Sequence, residues 1–148
     1  MKIKFKIVTP EKTVYESEID QATLPVADGE VTILPNHRSY IAALKAGEIY
    51  LNKEGEEIVM ATSGGFIEFN DNNLVVLADT AERAEEIDIA RAEKAKKKAE
   101  EAMKQKETMD NVEYARVAAA VEKEMARLRV GKKHRTKGGI NAGNINNE

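Results

Sequence analysis

Few side chains in this sequence could do covalent or metal chemistry. There is no cysteine, which removes a thiolate nucleophile, a thiolate metal site and any disulfide. The two histidines are His37 and His134, far apart in sequence. His37 stands between Asn36 and Arg38 with no second ligand nearby, so it reads as a loop contact and no metal site is expected. The carboxylate pairs Glu56/Glu57 and Glu85/Glu86 sit in charged surroundings, without the apolar neighbours that would raise one acid for proton transfer. Neither a G-x-x-x-x-G-K-[ST] loop nor a G-x-G-x-x-G fingerprint occurs. No Ser/His/acid set stands out. The chemistry points away from an enzyme, toward a binding, structural or regulatory chain.

The elements that would hold such residues divide the chain in two. Its 148 residues suit one ordinary domain or two small ones. Residues 1–80 carry 7 basic and 13 acidic side chains, residues 81–130 carry 12 of each, and residues 131–148 carry 4 basic and 1 acidic. An acidic first half and 5% aromatic content argue against nucleic-acid binding, which needs a basic surface or stacking platforms. No apolar run approaches the ~20 residues of a membrane span. Met1-Lys2-Ile3-Lys4-Phe5-Lys6-Ile7 alternates and lacks a signal-peptide core. Any place at a membrane is therefore expected to come through a partner, without direct insertion.

The first eighty residues have a period near two. Ile3, Phe5 and Ile7 share one face of a strand, and Thr13 to Ile19 reads as the next. Ala22 to Val26 is short, with Pro25 marking an edge or a bulge. Val31 to Leu34 and Tyr40 to Leu44 follow, the latter ended by Lys45-Ala46-Gly47. Glu48 to Leu51 and Ile58 to Ala61 flank Asn52-Lys53-Glu54-Gly55 as a hairpin. Ser63-Gly64-Gly65 punctuates before a second hairpin, Phe66 to Phe69 and Leu74 to Leu77. Short strands at this spacing predict a small antiparallel sandwich or barrel over 1–80.

From 81 to 130 the period becomes helical. Asp88 is placed to cap a helix opening at Ile89. Ile89, Ala92, Ala95, Ala99, Ala102 and Met103 share one face, with Glu93/Lys97 and Glu100/Lys104 as i,i+4 pairs outside. Thr108-Met109-Asp110-Asn111 interrupts the pattern. A second helix carries Ala115, Ala118, Val121, Met125 and Leu128 on one stripe. The expected product is an antiparallel helical hairpin. Its stripe is mostly alanine, each burying about one methyl, or roughly 0.8 kcal/mol. Weak docking on the sandwich follows. Residues 131–148, Lys/Arg-rich and then Asn/Gly-rich, are expected to be a disordered basic tail.

Three stretches read together carry a resemblance. They are Asp28-Gly29-Glu30-Val31-Thr32-Ile33-Leu34-Pro35-Asn36-His37, then Ser63-Gly64-Gly65-Phe66-Ile67-Glu68, then Leu77-Ala78-Asp79-Thr80-Ala81-Glu82. In this order, before an Ala/Lys/Glu helical hairpin, they resemble the epsilon subunit of bacterial F-type ATP synthase over about residues 3–130. Thr32 and Asn36 replace the two glycines usual in the first motif, and Arg38-Ser39-Tyr40 replaces a more apolar run, so this loop's contacts are its own.

The resemblance implies a β-sandwich followed by a C-terminal α-helical hairpin. It implies a non-catalytic rotor subunit that couples proton transport to ATP synthesis. Its partners would be the gamma subunit, the c-ring and the alpha/beta catalytic hexamer, at the cytoplasmic face of the cell membrane. Glu30 would face the c-ring and His37 would lie near gamma. The hairpin would alternate between the sandwich and an extended form that hinders ATP hydrolysis.

Ile87-Asp88-Ile89-Ala90-Arg91-Ala92 also matches the signature of epsilon subunits that bind ATP. By that likeness Arg91, Lys98, Lys123 and Arg127 would converge on phosphates, and Glu82, Ile87, Asp88 and Ala92 would serve the nucleoside. No cofactor is required, and the ATP would be regulatory. The plainer reading makes Asp88 an N-cap and Arg91 a partner in local ion pairs. An alternative for the whole chain is a β-module with a helical adaptor arm for an unrelated protein partner.

Overall fold

The computed structural model describes the backbone of residues 1–143 and the side chains of residues 1–136 apart from Lys106. Eight strands come first: β1 (Ile3–Val8), β2 (Thr13–Ile19), β3 (Gln21–Val26), β4 (Gly29–Ile33), β5 (Tyr40–Lys53), β6 (Glu56–Asn70), β7 (Asn73–Ala78) and β8 (Ala81–Arg83). A 3₁₀ turn at Ala84–Glu86 leads into α1 (Ile89–Met103) and α2 (Asn111–Gly143). The strand order is β2-β1-β7-β6-β5-β3-β4, with β8 added on β6. A β-sandwich-type domain followed by a two-helix region is thus the architecture that the periodicities implied.

The sandwich is built around two long strands. β5 and β6 pair in one register from Tyr40↔Phe69 to Lys53↔Glu56. The expected breaks at Lys45-Ala46-Gly47 and Ser63-Gly64-Gly65 are bends inside these strands, a correction to the reading of four short ones. In β5 the inward positions change from Leu44 to Gly47, Ile49 and Leu51; in β6 they change from Met60 and Thr62 to Ile67 and Phe69. Such a change of parity turns the other face inward, as a strand must when it crosses between layers. Gly64 and Gly65 permit the turn at φ +126° and +145°, which side chains rarely adopt. A Cβ on Gly65 would stand 2.0 Å from the Leu77 carbonyl oxygen.

One core fills the sandwich. Ile3, Phe5, Ile7, Ile19, Leu24, Ile33, Ile49, Leu51, Met60, Ile67, Phe69 and Leu74 are essentially inaccessible. β1 pairs parallel with β7, Lys4↔Asn73 through Val8↔Leu77, so the sheet is not purely antiparallel. The ladder shifts between Thr23 and Val26, the bulge that Pro25 signalled. β8 pairs with Met60–Thr62, so residues 81–83 belong to the sheet and the helical region begins later than residue 81.

The hairpin forms as the period predicts, with two changes. Asp88 caps α1, its Oδ1 accepting from Arg91 N at 3.1 Å. Asp110 and Glu113 make a capping box at the head of α2: Asp110 Oδ1 accepts from Glu113 N at 2.8 Å, and Glu113 Oε2 from Asp110 N at 3.3 Å. α2 lies against α1 and also against β5, β6 and the 3₁₀ turn, so its buried face is wider than one stripe. Ala115 and Met125 are exposed, while Glu124, Ala126, Leu128, Val130 and Gly131 are buried. Glu93 pairs across to Lys132 (3.6 Å) and Glu100 with Lys96 (3.7 Å), in place of the anticipated Lys97 and Lys104.

The expectation of a disordered tail over 131–148 is corrected for its first part, because α2 runs on to Gly143. A single interior glycine costs a helix only about 1 kcal/mol, and Gly131 regains this through contact. A Cβ there would meet Ile87 Cγ2 and Ile89 Cγ1 at 3.1 Å, so glycine is what lets α2 close on the start of α1. Residues 144–148 lie outside the described residues.

Candidate functional site

Three of the predicted nucleotide residues come together where the hairpin meets the sandwich. A cleft of about 430 Å³ is lined by Thr9, Pro10, Glu11 and Lys12 of the β1–β2 turn, by 79–82 and Glu86, and by Lys123 and Arg127 of α2. Arg127 is its organising side chain. Nε lies 2.5 Å and Nη2 3.2 Å from the two oxygens of Glu82, and Nη1 donates to Glu124 Oε2 at 2.8 Å. The Arg127 and Glu124 side chains are only 17% and 10% exposed. Burial works against the Arg127 cation, but the hydrogen bonds and charges of Glu82 and Glu124 outweigh it, so its pKa is raised. Guanidinium forking onto two carboxylates is the strong form of such contacts.

The other five candidates stand elsewhere. Ala92 is fully buried under the hairpin, and Ile87 packs into a small cluster with Val59, Ala61, Ala84 and Val130. Asp88 and Arg91 are exposed at the start of α1 and Lys98 is exposed farther along it; none of the three lines the cleft. In this state the cleft's cations face Glu11, Asp79, Glu82 and Glu86, and Arg127 is fully engaged by protein carboxylates. A phosphate entering here must displace Glu82 from Arg127.

The partner-side candidates occupy a different region. Glu30 is exposed on β4. His37 is half-buried, its ring edge-on to Tyr40 (6.1 Å) and Phe69 (5.9 Å), with Nδ1–H donating to the Arg38 carbonyl at 2.8 Å. A feature absent from the sequence reading locks this loop. Asn36 N donates to Asn72 Oδ1 at 2.7 Å, and Asn72 Nδ2 to Asn36 Oδ1 at 3.2 Å. Both asparagines have positive φ, and Asn36 at a usual glycine position was the available signal.

Also missed was an apolar face on the sheet. Ile41, Phe66 and Leu77 are 77%, 63% and 54% exposed. Phe66 is directly opposite Ala43 on β5 and Leu77 on β7, and Ile41 shares Ala43's face two residues away. Among the described residues no group of acids and histidines could hold a metal ion, and no helix is long and apolar enough to cross a membrane.

The chain matches the family model for the ATP synthase delta/epsilon chain, with the beta-sandwich domain over residues 2–84 and the long alpha-helix domain over residues 85–132. It belongs to the ATP synthase delta/epsilon chain family. The ATP synthase epsilon chain of Dehalococcoides mccartyi is 45% identical over 134 residues, covering 90% of this chain and 95% of that one. The epsilon chain of Herpetosiphon aurantiacus is 40% identical over 137 residues, covering 93% and 99%. The resemblance carried by the three motifs is therefore established, as an epsilon subunit of F-type ATP synthase.

A chain of the Euglena gracilis mitochondrial ATP synthase (OSCP/F1/c-ring, rotational state 1) superposes with a TM-score of 0.71 at 21% identity, over 84% of this chain and 78% of that one. One from the Tetrahymena thermophila mitochondrial ATP synthase central stalk/c-ring reaches 0.50 at 16%, over 59% and 70%. At these identities the likeness is one of fold. The delta/epsilon helix match ends at residue 132, whereas α2 of this epsilon subunit continues to Gly143.

Proposed function

We propose that this chain is a non-catalytic rotor subunit of the central stalk, coupling proton transport to ATP synthesis and restraining ATP hydrolysis through its hairpin. The carrying observation is the contrast between its two internal interfaces. The sandwich has a continuous core of large buried side chains. The hairpin meets it through a small apolar cluster of Val59, Ala61, Ala84, Ile87 and Val130, ringed by ion pairs of Arg127, Arg129 and Lys133. An element fastened by few large apolar side chains and by ion pairs can exchange partners, because a new carboxylate or phosphate replaces the old one.

The sandwich stays on the rotor in this reading. The apolar face of Ile41, Phe66 and Leu77 suits a permanent protein neighbour, for which gamma is the proposed occupant, with His37 beside it and Glu30 toward the c-ring. The alpha/beta hexamer receives the extended hairpin. The subunit is peripheral at the cytoplasmic face of the cell membrane, held there by its partners. A tagged copy expressed in cells tests this: gamma, alpha and beta co-purify from detergent-solubilised membranes. Their absence, with the tagged chain folded, overturns the assignment in favour of an unrelated partner for a helical adaptor arm.

ATP is the proposed regulator of hairpin position. It binds the form with the hairpin folded on the sandwich, taking Arg127 from Glu82 and drawing on Arg91, Lys98 and Lys123, with Glu82, Ile87, Asp88 and Ala92 at the nucleoside. Because Arg91 and Lys98 lie outside the cleft and Ala92 is buried in the free protein, α1 must shift on α2 as the nucleotide enters. Binding only to that form stabilises it by RT ln(1 + [L]/Kd). Calorimetric titration of the isolated protein with ATP is expected to show one site, weakened in Asp88→Ala and Arg91→Ala. Unchanged binding in both variants eliminates the site.

A further inference from the structure

We propose that the segment of α2 from Arg129 onward is a clasp, closed on Glu48 and Tyr50 of β5, that sets how readily the hairpin leaves the sandwich. Glu48 is nearly enclosed, its side chain 11% exposed, and it receives two cations from successive turns of α2. Arg129 Nε reaches Oε1 at 3.1 Å and Lys133 Nζ reaches Oε2 at 3.0 Å. Lys133 Nζ also donates to Tyr50 Oη at 2.7 Å and lies 5.2 Å from that ring's centre, within cation–π range.

Between these contacts Gly131 seats α2 against Ile87 and Ile89, and Lys132 reaches Glu93 of α1. Arg129, Gly131, Lys132 and Lys133 thus tie α2 to β5 and to α1 at once. Lys133 falls just beyond residue 132, where the match to the family's long alpha-helix domain ends.

The energetics favour a latch over a weld. The Arg129 and Lys133 side chains are 50% and 55% exposed, so water solvates them readily once they are released. Glu48 is the enclosed member, and its carboxylate loses both partners when α2 lifts. The clasp is charge-based, so its closure weakens with ionic strength.

This inference rests on the reading that the hairpin leaves the sandwich, and one experiment separates the two. Hydrogen–deuterium exchange is followed on the full chain, comparing α2 amides at 113–130 with amides of β1 and β7. The wild type is expected to exchange faster in α2 than in the sheet, and faster still when NaCl rises from about 0.05 to 0.5 M, as screening requires. Glu48→Ala should raise α2 exchange by roughly tenfold, the loss expected for a charge-assisted contact half open to water. It should leave β1 and β7 unchanged and reduce the salt response, with the remainder carried by the Arg127 and Lys132 ion pairs. Lys133→Met, at an exposed position, gives the same direction in case Glu48→Ala fails to fold. If α2 opens separately from the sheet but at equal rates in wild type and Lys133→Met, the clasp is overturned while the mobile hairpin stands. If α2 and the sheet exchange together in every protein, the hairpin does not open alone and both readings fall.

Discussion

Arg127→Met is the perturbation whose cost the structure defines most closely. Methionine keeps an unbranched apolar stem of about the length of the Arg127 methylenes but removes the cation that Glu82 and Glu124 share. Glu124, with a side chain only 10% exposed, loses its charged partner; a charge-assisted hydrogen bond of this kind is worth about 2 kcal/mol. Glu82 is 34% exposed, so water repays part of its loss and about 1 kcal/mol remains. The sum is about 3 kcal/mol. At this chain length each kcal/mol corresponds to roughly 2–4 °C, so the helical signal should melt about 9 °C earlier. Urea titration followed by circular dichroism measures the same loss as a lower midpoint at unchanged slope. Arg127→Met combined with Glu124→Gln should recover about half of it, because a neutral amide no longer needs a counter-charge. A single variant within ~0.5 kcal/mol of wild type, the ordinary range of a surface change, would refute the role of this triad in fastening α2.

Gly65→Ala is expected to cost about 4 kcal/mol by the same titration, since the residue must hold φ +145° and its Cβ has no room beside Leu77. Asp88→Ala removes the α1 cap and should lower stability by about 1 kcal/mol, separately from any effect on ATP binding. Phe66→Ser, on a side chain 63% exposed, should shift stability by less than ~0.5 kcal/mol yet weaken capture of the stalk partner in the co-purification assay.

The Asp20–Lys2 contact (3.2 Å) gives a pH signature. The backbone hydrogen bond from Glu54, then the one from Lys2, hold Asp20 below the usual carboxylate range. Its contribution is present above the unfolded value near ~3.9 and disappears as pH falls through the lower folded value. Lys2, raised chiefly by its hydrogen bond to Asp20, acts in the opposite sense: its contribution is full below the unfolded value near ~10.4 and fades as pH rises through the folded one. Melting temperature against pH should therefore fall less steeply below pH ~4 in Asp20→Asn than in wild type.

Local periodicity made most of the fold legible. Alternation placed Ile3, Phe5 and Ile7 inward, and steps of three and four placed Ala92, Ala95 and Ala99 on the inner face of α1. It failed where two signals compete. Gly64 and Gly65 resemble a loop in sequence, yet they are the bend that lets one strand serve two layers. Gly131 resembles a helix stop, yet a packing partner makes it a helix interior. The exposed face of Ile41, Phe66 and Leu77 is alternation on the wrong side of the sheet, and a one-dimensional pattern does not say which side water sees.

The candidate site divides the same way. Asp88 as an N-cap and the mixed charge of residues 81–130 follow from residue type and spacing, because capping and i,i+3 contacts act within one turn. The ordered motifs carried the family, since they specify turns and closures that few other chains need together. Only the tertiary structure decided that Arg127 closes on Glu82, that Arg129 and Lys133 share Glu48, and that Asp88, Arg91 and Lys98 stand apart from them. Those pairs join residues distant in the chain, and many positions carry the right charge. Which of them meet is selected by the docking of α2 on the sheet, a property of shape and burial that charge and spacing alone do not encode.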